Sequence, residues 1–432
     1  MNKSKTAIVI GSGAGGAMIA KELQGDYQVT IVEAGKAFKP FAYPIKPLAK
    51  LRSTGLFLDE RMIHLLLPSM VIDKTEEMVI VHGCGVGGTT TLATGNAVRY
   101  DGALKELGID LDAEFERLYQ ELPITTEHYR SWTETTRNMY ALFEEMGLDP
   151  VVTPKFLRPE KCVSCGHCAI GCPTGAKWDT RELIDQAVKR GAKLVTNCRV
   201  TNLEVTDGRV TAVYAKRYGR KECFTADLVV LAAGGLGSPR ILENSGIPCE
   251  KTLFVDPVLC VAGPLDGIRQ DRQLLMPFIS QQDGYILSPY MDYLSFFFHK
   301  DWRHPMQGIA SIMIKLADEE NGYIEGSKIR KTMTANDHER LDRAVAQCRE
   351  ILVKMGVPLE QQFLGTLNAG HPGGMLPLGP EDKETLHPSR LPENLYVADA
   401  TILPKAMGNP PILTIMALAK RIAHVIRKRH CN

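Results

Sequence analysis

The sequence carries no excess of charge of either sign: 51 Lys and Arg stand against 50 Asp and Glu in 432 residues. A balanced chain lacks the basic field that draws proteins to nucleic acid or anionic lipid. No apolar run reaches the ~18 residues of a membrane span. The short apolar stretch near the start leads into glycines, not into the small-residue cleavage site of an export signal. These absences lead us to expect a soluble, cytoplasmic protein. Repeats and low-complexity segments are also missing, which argues against solenoids and disordered tails. His64, His82, His128, His299, His304, His338 and His387 have no Cys or His at zinc spacing, which argues against a zinc enzyme built on them.

Cysteine is present but unevenly spread. There are eleven, an odd number, and four fall within residues 162–172. That pattern suits ligands or buried thiols better than a disulfide framework.

The chain opens as a strand (TAIVI), a glycine turn (GSGAGG), a helix and a second strand (QVTIVEAG), a βαβ unit. Gly11, Gly13 and Gly16, with Ala14 and Gly15 between them, stand in the GxGxxG pattern directly after a strand. The first glycine allows the tight turn, the second lets the backbone approach a pyrophosphate, and the third lets helix and strand pack closely. Glu33 closes the second strand, where a carboxylate can accept hydrogen bonds from ribose hydroxyls. A dinucleotide site follows, with NAD and FAD both open at this point.

Further on, DLDAEFERLYQEL and ETTRNMYALFEEMG read as amphipathic helices. KLVTNCRVTNLEVT and RVTAVYAKR, separated by Asp-Gly, read as an antiparallel hairpin. DLVVLAAGG has the all-apolar character of a buried parallel strand. The aromatic stretch at 285–298 reads as strand, either core or pocket lining, and LFLDERMIHLLLPSM at 56–70 as a buried helix or a lid.

The segment CVSCGHCAIGCPTG places Cys162, Cys165, Cys168 and Cys172 at C-x₂-C-x₂-C-x₃-C-P, the ferredoxin spacing. Soft thiolates at this density favour an iron–sulfur cluster or zinc over a hard cation. In ferredoxins the fourth cysteine of such a run often serves a second cluster. The fourth ligand is therefore either Cys172 or one of the remote thiols Cys84, Cys198, Cys223, Cys249 and Cys260. Structural thiols without metal are the competing reading.

Three segments, HGCGVGGTTTLATGNAVR, DLVVLAAGGLGSPRILENSGI and NLYVADATILPKAMGNPPILTIMALAKRIA, resemble the glucose-methanol-choline (GMC) family of FAD oxidoreductases, in the same order and over nearly the whole chain. The Cys-rich passage is most similar to the long-chain alcohol oxidase and sugar dehydrogenase branches. The resemblance implies an α/β fold with an α+β second domain: a Rossmann-type FAD-binding domain interleaved with an antiparallel-sheet substrate domain. The FAD-binding parts would be 1–150, 186–250 and 376–432, with a Cys-rich segment at 151–185 and the substrate domain at 251–375.

By the same resemblance, Gly87, Gly88, Thr89 and Ala233 would lie along the cofactor, Asn96 near its ring, Val200 at the adenine, and Asp399, Ala400 and Pro410 near the ribityl and phosphate atoms. With no histidine at 87–97, noncovalent FAD is implied. His371 would be the catalytic base and Asn409 its partner. Met375 and Leu376, following the histidine, would give the site an apolar wall.

The expected activity is oxidation of a small-molecule alcohol by hydride transfer to flavin. A [4Fe–4S] cluster would then pass electrons to a redox partner protein or quinone. The alternatives are an oxygen-using alcohol oxidase with structural cysteines, and an electron-transfer subunit of a larger complex.

Overall fold

The computed structural model describes residues 5–41, 67–299, 302 and 308–430; most of the 56–70 segment lies outside them. Two sheets organise the chain. The first is parallel and five-stranded, in the spatial order Leu395–Val397, Leu228–Leu231, β1 (Thr6–Ile10), β2 (Gln28–Val32), Lys193–Val195. Every residue of Leu228–Leu231 is buried, as a parallel strand covered on both faces requires. Helix α1 (Ala14–Leu23) follows β1 and packs along the C-terminal helix Ile412–His430. The last strand therefore joins the same sheet beside Leu228–Leu231, and the last helix returns to the first βαβ unit.

The second sheet is largely antiparallel and nine-stranded. Its path runs Met70–Lys74, Val79–Gly83, Asn368–Ala369, Pro257–Pro264, Ile309–Leu316, Tyr285–Pro289, Phe278–Gln282, Pro150–Val152, with Phe363–Leu364 also pairing with Pro257–Pro264. The helix Ala335–Lys354 packs across it, started by a capping box in which Thr334 and Asp337 satisfy each other's backbone N–H. The segment expected as 1–150 thus contributes strands to both sheets.

Asp207 and Gly208 both have positive φ and close the Cys198–Thr206/Arg209–Arg217 hairpin, the geometry that Asp-Gly turns favour. The aromatic stretch at 285–298 departs from its strand-like pattern. After Tyr285–Pro289 the chain forms the helix Tyr293–Phe298, because the Asp292 side chain caps Ser295 N.

The sheets join where His371 lies. After Asn368–Ala369, Gly373 exchanges backbone hydrogen bonds with Phe254, Gly374 N donates to Ala400 O at 3.0 Å, and Leu376 N to Thr401 O at 2.9 Å. His371–Leu378 therefore crosses from the second sheet to the loop after the last parallel strand.

Candidate active site

The cradle at Gly11–Gly16 is built from main chain packed at its limit. A Cβ on Gly15 would drive into the carbonyl oxygen of Ala398, and one on Gly11 into that of Ala232. The turn thus locks onto the other two segments of the parallel sheet. Gly13 is different: a Cβ there would meet nothing within 4 Å, so its outer face is open. Gly88 lies against Gly13, and Gly87 N donates to Ser12 Oγ at 3.1 Å.

Glu33, buried at the end of β2, accepts from Ser12 Oγ (2.6 Å), Ser12 N (3.1 Å) and Gly35 N (2.8 Å). Burial pushes its carboxyl up, opposed by these donors. Val200 is buried on the strand whose first residue, Cys198, donates its N–H to Glu33 O. Asp399 commits its carboxylate to the chain itself, accepting from Gly234 N, Ser238 Oγ and Thr401 N. It ties the Ala233 turn to the Ala400 turn.

Thr89 leads from this cradle into a partly open cavity of about 160 Å³. Its walls are mostly apolar, including Leu92, Ile170, Met276, Tyr290, Tyr293 and Met313, with Asn96, Lys315, His371 and Pro410 as polar or turn residues. An apolar cavity with a few convergent polar groups is the usual form of a ligand site.

His371 is held from behind. Its Nδ1 lies 3.5 Å from Asp256 Oδ2 without a well-formed hydrogen bond. Asp256 is 1% exposed and pairs with Lys315 Nζ at 2.5 Å; Lys315 also donates to Asn409 O at 2.9 Å, and Gly408 N donates to Asp256 Oδ1 at 3.0 Å. One buried ion pair therefore fixes both the His371 and the Asn409 loops. Burial and the Lys315 charge push the imidazole down to about 4, against the pull of Asp256. Burial acts to raise the Asp256 carboxyl, but Lys315 and His371 outweigh it and hold it below the usual range.

Asn409 is 1% exposed, and Pro410 beside it, not Asn409 itself, borders the cavity. Its Nδ2 donates to Gln281 Oε1 at 2.9 Å, and its Oδ1 is buried without a hydrogen-bond partner. The expected apolar wall at Met375 and Leu376 is corrected. Both are fully buried in the cores beneath the two sheets, because the Leu376 N–H to Thr401 bond turns this stretch inward.

Cys162, Cys165, Cys168 and Cys172 all line one small chamber, walled also by Leu157, Ala176, Lys177 and Leu274. None of the remote thiols Cys84, Cys198, Cys223, Cys249 and Cys260 borders it. Among the described residues, no three His, Cys, Asp or Glu are gathered as they would be round a single metal ion. Backbone N–H groups point at the sulfurs. Lys177 N lies 3.4 Å from Cys172 Sγ, and with the Thr174 side chain and neighbouring N–H groups it pulls that thiol below its usual value despite burial. Burial pushes Cys162 and Cys165 up, opposed by N–H groups of Ser164 and His167. The chamber and the cavity share a wall, since Ala169 and Ile170 of the cysteine run border the cavity.

The sequence profile of the GMC oxidoreductases matches residues 6–261, more than half of the chain. The chain belongs to the GMC oxidoreductase family. It is 28% identical to an uncharacterised protein of Methanocaldococcus jannaschii, over 97% of this chain and 98% of that one. It is 24% identical to a long-chain-alcohol oxidase of Arabidopsis thaliana, over 98% of this chain and 67% of the relative. The fold matches a pyridoxine 4-oxidase of Mesorbium loti with a TM-score of 0.72 at 16% identity, covering 99% of both chains.

GMC enzymes are FAD-dependent oxidoreductases, and the residues present fit that cofactor: an open face at Gly13, a buried strand-end acid at Glu33, and a cavity continuing from Thr89. Four residues of this GMC site escaped sequence reading: Asp256, Lys315, Lys155 and Lys177. The one available signal was a lone charge inside apolar stretches such as IASIMIKL, all of which is buried.

Proposed function

We propose that this protein is an FAD-dependent alcohol dehydrogenase with His371 as base and a [4Fe–4S] cluster on Cys162, Cys165, Cys168 and Cys172 as its electron outlet. The reading is carried by one observation: a single stretch of chain, 168–172, lines the cysteine chamber and supplies a wall of the catalytic cavity. FAD on the Gly11–Gly16 cradle would supply the hydride acceptor, and a cluster on the four cysteines would supply a one-electron outlet.

The chain's own residues do the rest. His371, neutral at ordinary pH because burial and Lys315 disfavour its charge, accepts the hydroxyl proton as the carbon loses hydride. Asp256, behind the ring, attracts the imidazolium as it forms. Asn409, rotated away from Gln281, holds the hydroxyl oxygen through its carboxamide, and the fixed loops supply orientation. The apolar walls favour an apolar alcohol, and a protein or quinone carrier receives the electrons.

Anaerobic purification tests this reading, with flavin, iron and acid-labile sulfide counted and alcohol turnover followed with an artificial one-electron acceptor. About four irons per chain and turnover independent of oxygen are expected. Oxygen-dependent turnover with peroxide release, and no iron, would favour the second reading: an alcohol oxidase with structural thiols. That reading draws support from the oxidase names of relatives and from the lack of a single-ion site among the described residues.

A further inference from the structure

Five lysines among the described residues are buried: Lys155, Lys177, Lys315, Lys331 and Lys420. A buried ammonium is strongly disfavoured unless an anion compensates it. Three have that anion in the protein. Lys315 pairs with Asp256, Lys331 with Asp318 at 2.8 Å, and Lys420 with Glu22 and Glu121 at 2.8 and 2.7 Å.

The other two make no such pair. Lys155, 1% exposed, donates to Asn96 Oδ1 and to Leu275 O at 2.6 Å. Lys177 Nζ lies within hydrogen-bonding distance of four carbonyls, which its three N–H groups share: Thr90 (3.3 Å), Thr91 (2.8 Å), Ala93 (2.6 Å) and Cys168 (2.9 Å). Asp179, whose charge favours the Lys177 ammonium, makes no bond to it and is held by Arg181 through two bonds of 2.8 Å. Carbonyl dipoles solvate a cation but leave its net charge in place.

Both uncompensated lysines stand beside the cysteine chamber. Lys177 lines it, and Lys155 donates to the carbonyl of Leu275, next to the chamber-wall residue Leu274. Lys155 also holds Asn96, a wall residue of the catalytic cavity. The anion that these charges answer is therefore on the sulfur side. Four thiolates outweigh the charge of an oxidised cubane core by two, the number of unpaired ammonium groups.

Resting on the cluster reading above, we propose that Lys155 and Lys177 are the counter-charges of a four-thiolate iron–sulfur cluster. They raise its reduction potential so that it draws electrons from the adjoining cavity. The step would balance simply: reduced flavin would lose one electron and the cluster would gain it, the added negative charge falling next to two ammonium groups. Removing either cation makes reduction harder.

The test is an anaerobic redox titration of the full-length holoprotein, followed by electron paramagnetic resonance, with iron counted in each sample. Lys155→Met and Lys177→Met are each expected to lower the one-electron reduction equilibrium at least tenfold, about 59 mV, while Lys155→Arg keeps the wild-type potential. Met variants that retain iron at an unchanged potential overturn the inference and leave the cluster reading standing. Wild-type protein without iron overturns both. If the Met variants lose iron, Lys155→Gln and Lys155→Arg decide: iron kept by Arg and lost by Gln supports charge as the cause, and iron lost by both, or kept by both at the wild-type potential, refutes it.

Discussion

At Gly11–Gly16 the cofactor groove is shaped by main chain, whereas its far end, around His371 and the cysteine chamber, is held by buried charged side chains. The cradle's parts are neighbours in sequence, and its tightness comes from carbonyl oxygens of Ala232 and Ala398 pressing where side chains would be. The far end draws Asp256, Lys315, His371 and the Asn409 loop from four separate segments, held by an ion pair that water barely reaches. Backbone packing tolerates no added atom; a buried ion pair tolerates no missing one.

Substitutions can break this contrast. The largest effect is expected at Asp256. Asp256→Ala leaves Lys315 as an uncompensated buried cation and Gly408 N without its acceptor, a loss of about 3–5 kcal/mol that a denaturant melt will read. Next comes His371→Ala, which removes the proposed base but no structural ion pair. Turnover is expected to fall by ~10²–10⁴ with flavin content unchanged; unaltered turnover would remove His371 from the chemistry.

The same residue sets a pH signature. Because its imidazole is pushed down to about 4 from an ordinary 6.5, the unfolded chain binds a proton that the folded one refuses between those values. Its contribution to stability is full above 6.5 and is lost as pH falls towards 4. The acid limb of kcat/KM should lie well below 6.5 and move upward in Lys315→Met, provided that variant folds.

The cradle gives the smaller pair. Gly15→Ala should cost about 3 kcal/mol by overpacking and abolish retention of flavin, while Gly13→Ala, facing open space, should leave the flavin-free melting temperature unchanged and weaken only cofactor binding. Equal melting losses in the two would contradict the tight-and-open arrangement of these glycines.

The cradle and the cysteine run were legible in the sequence because each is local: a glycine spacing after a strand, four thiols in eleven positions. What was not legible depends on contacts between distant segments. Nothing in PKF or FVDP announces that Lys155 donates to Asn96 or that Asp256 sits behind a histidine more than a hundred positions away. Helix Tyr293–Phe298 hid behind aromatic residues that suit strands, and only the cap at Asp292 decides it. Met375 and Leu376 read as lining because they follow His371, yet one backbone bond turns them into the core.

Lys177 acts as a rivet, its single ammonium gripping main chain from both the flavin-side turn and the cysteine run. On the cluster reading proposed above, stripping iron with a chelator should slacken the yellow cofactor's seat as well, so that brown and yellow colour fade together.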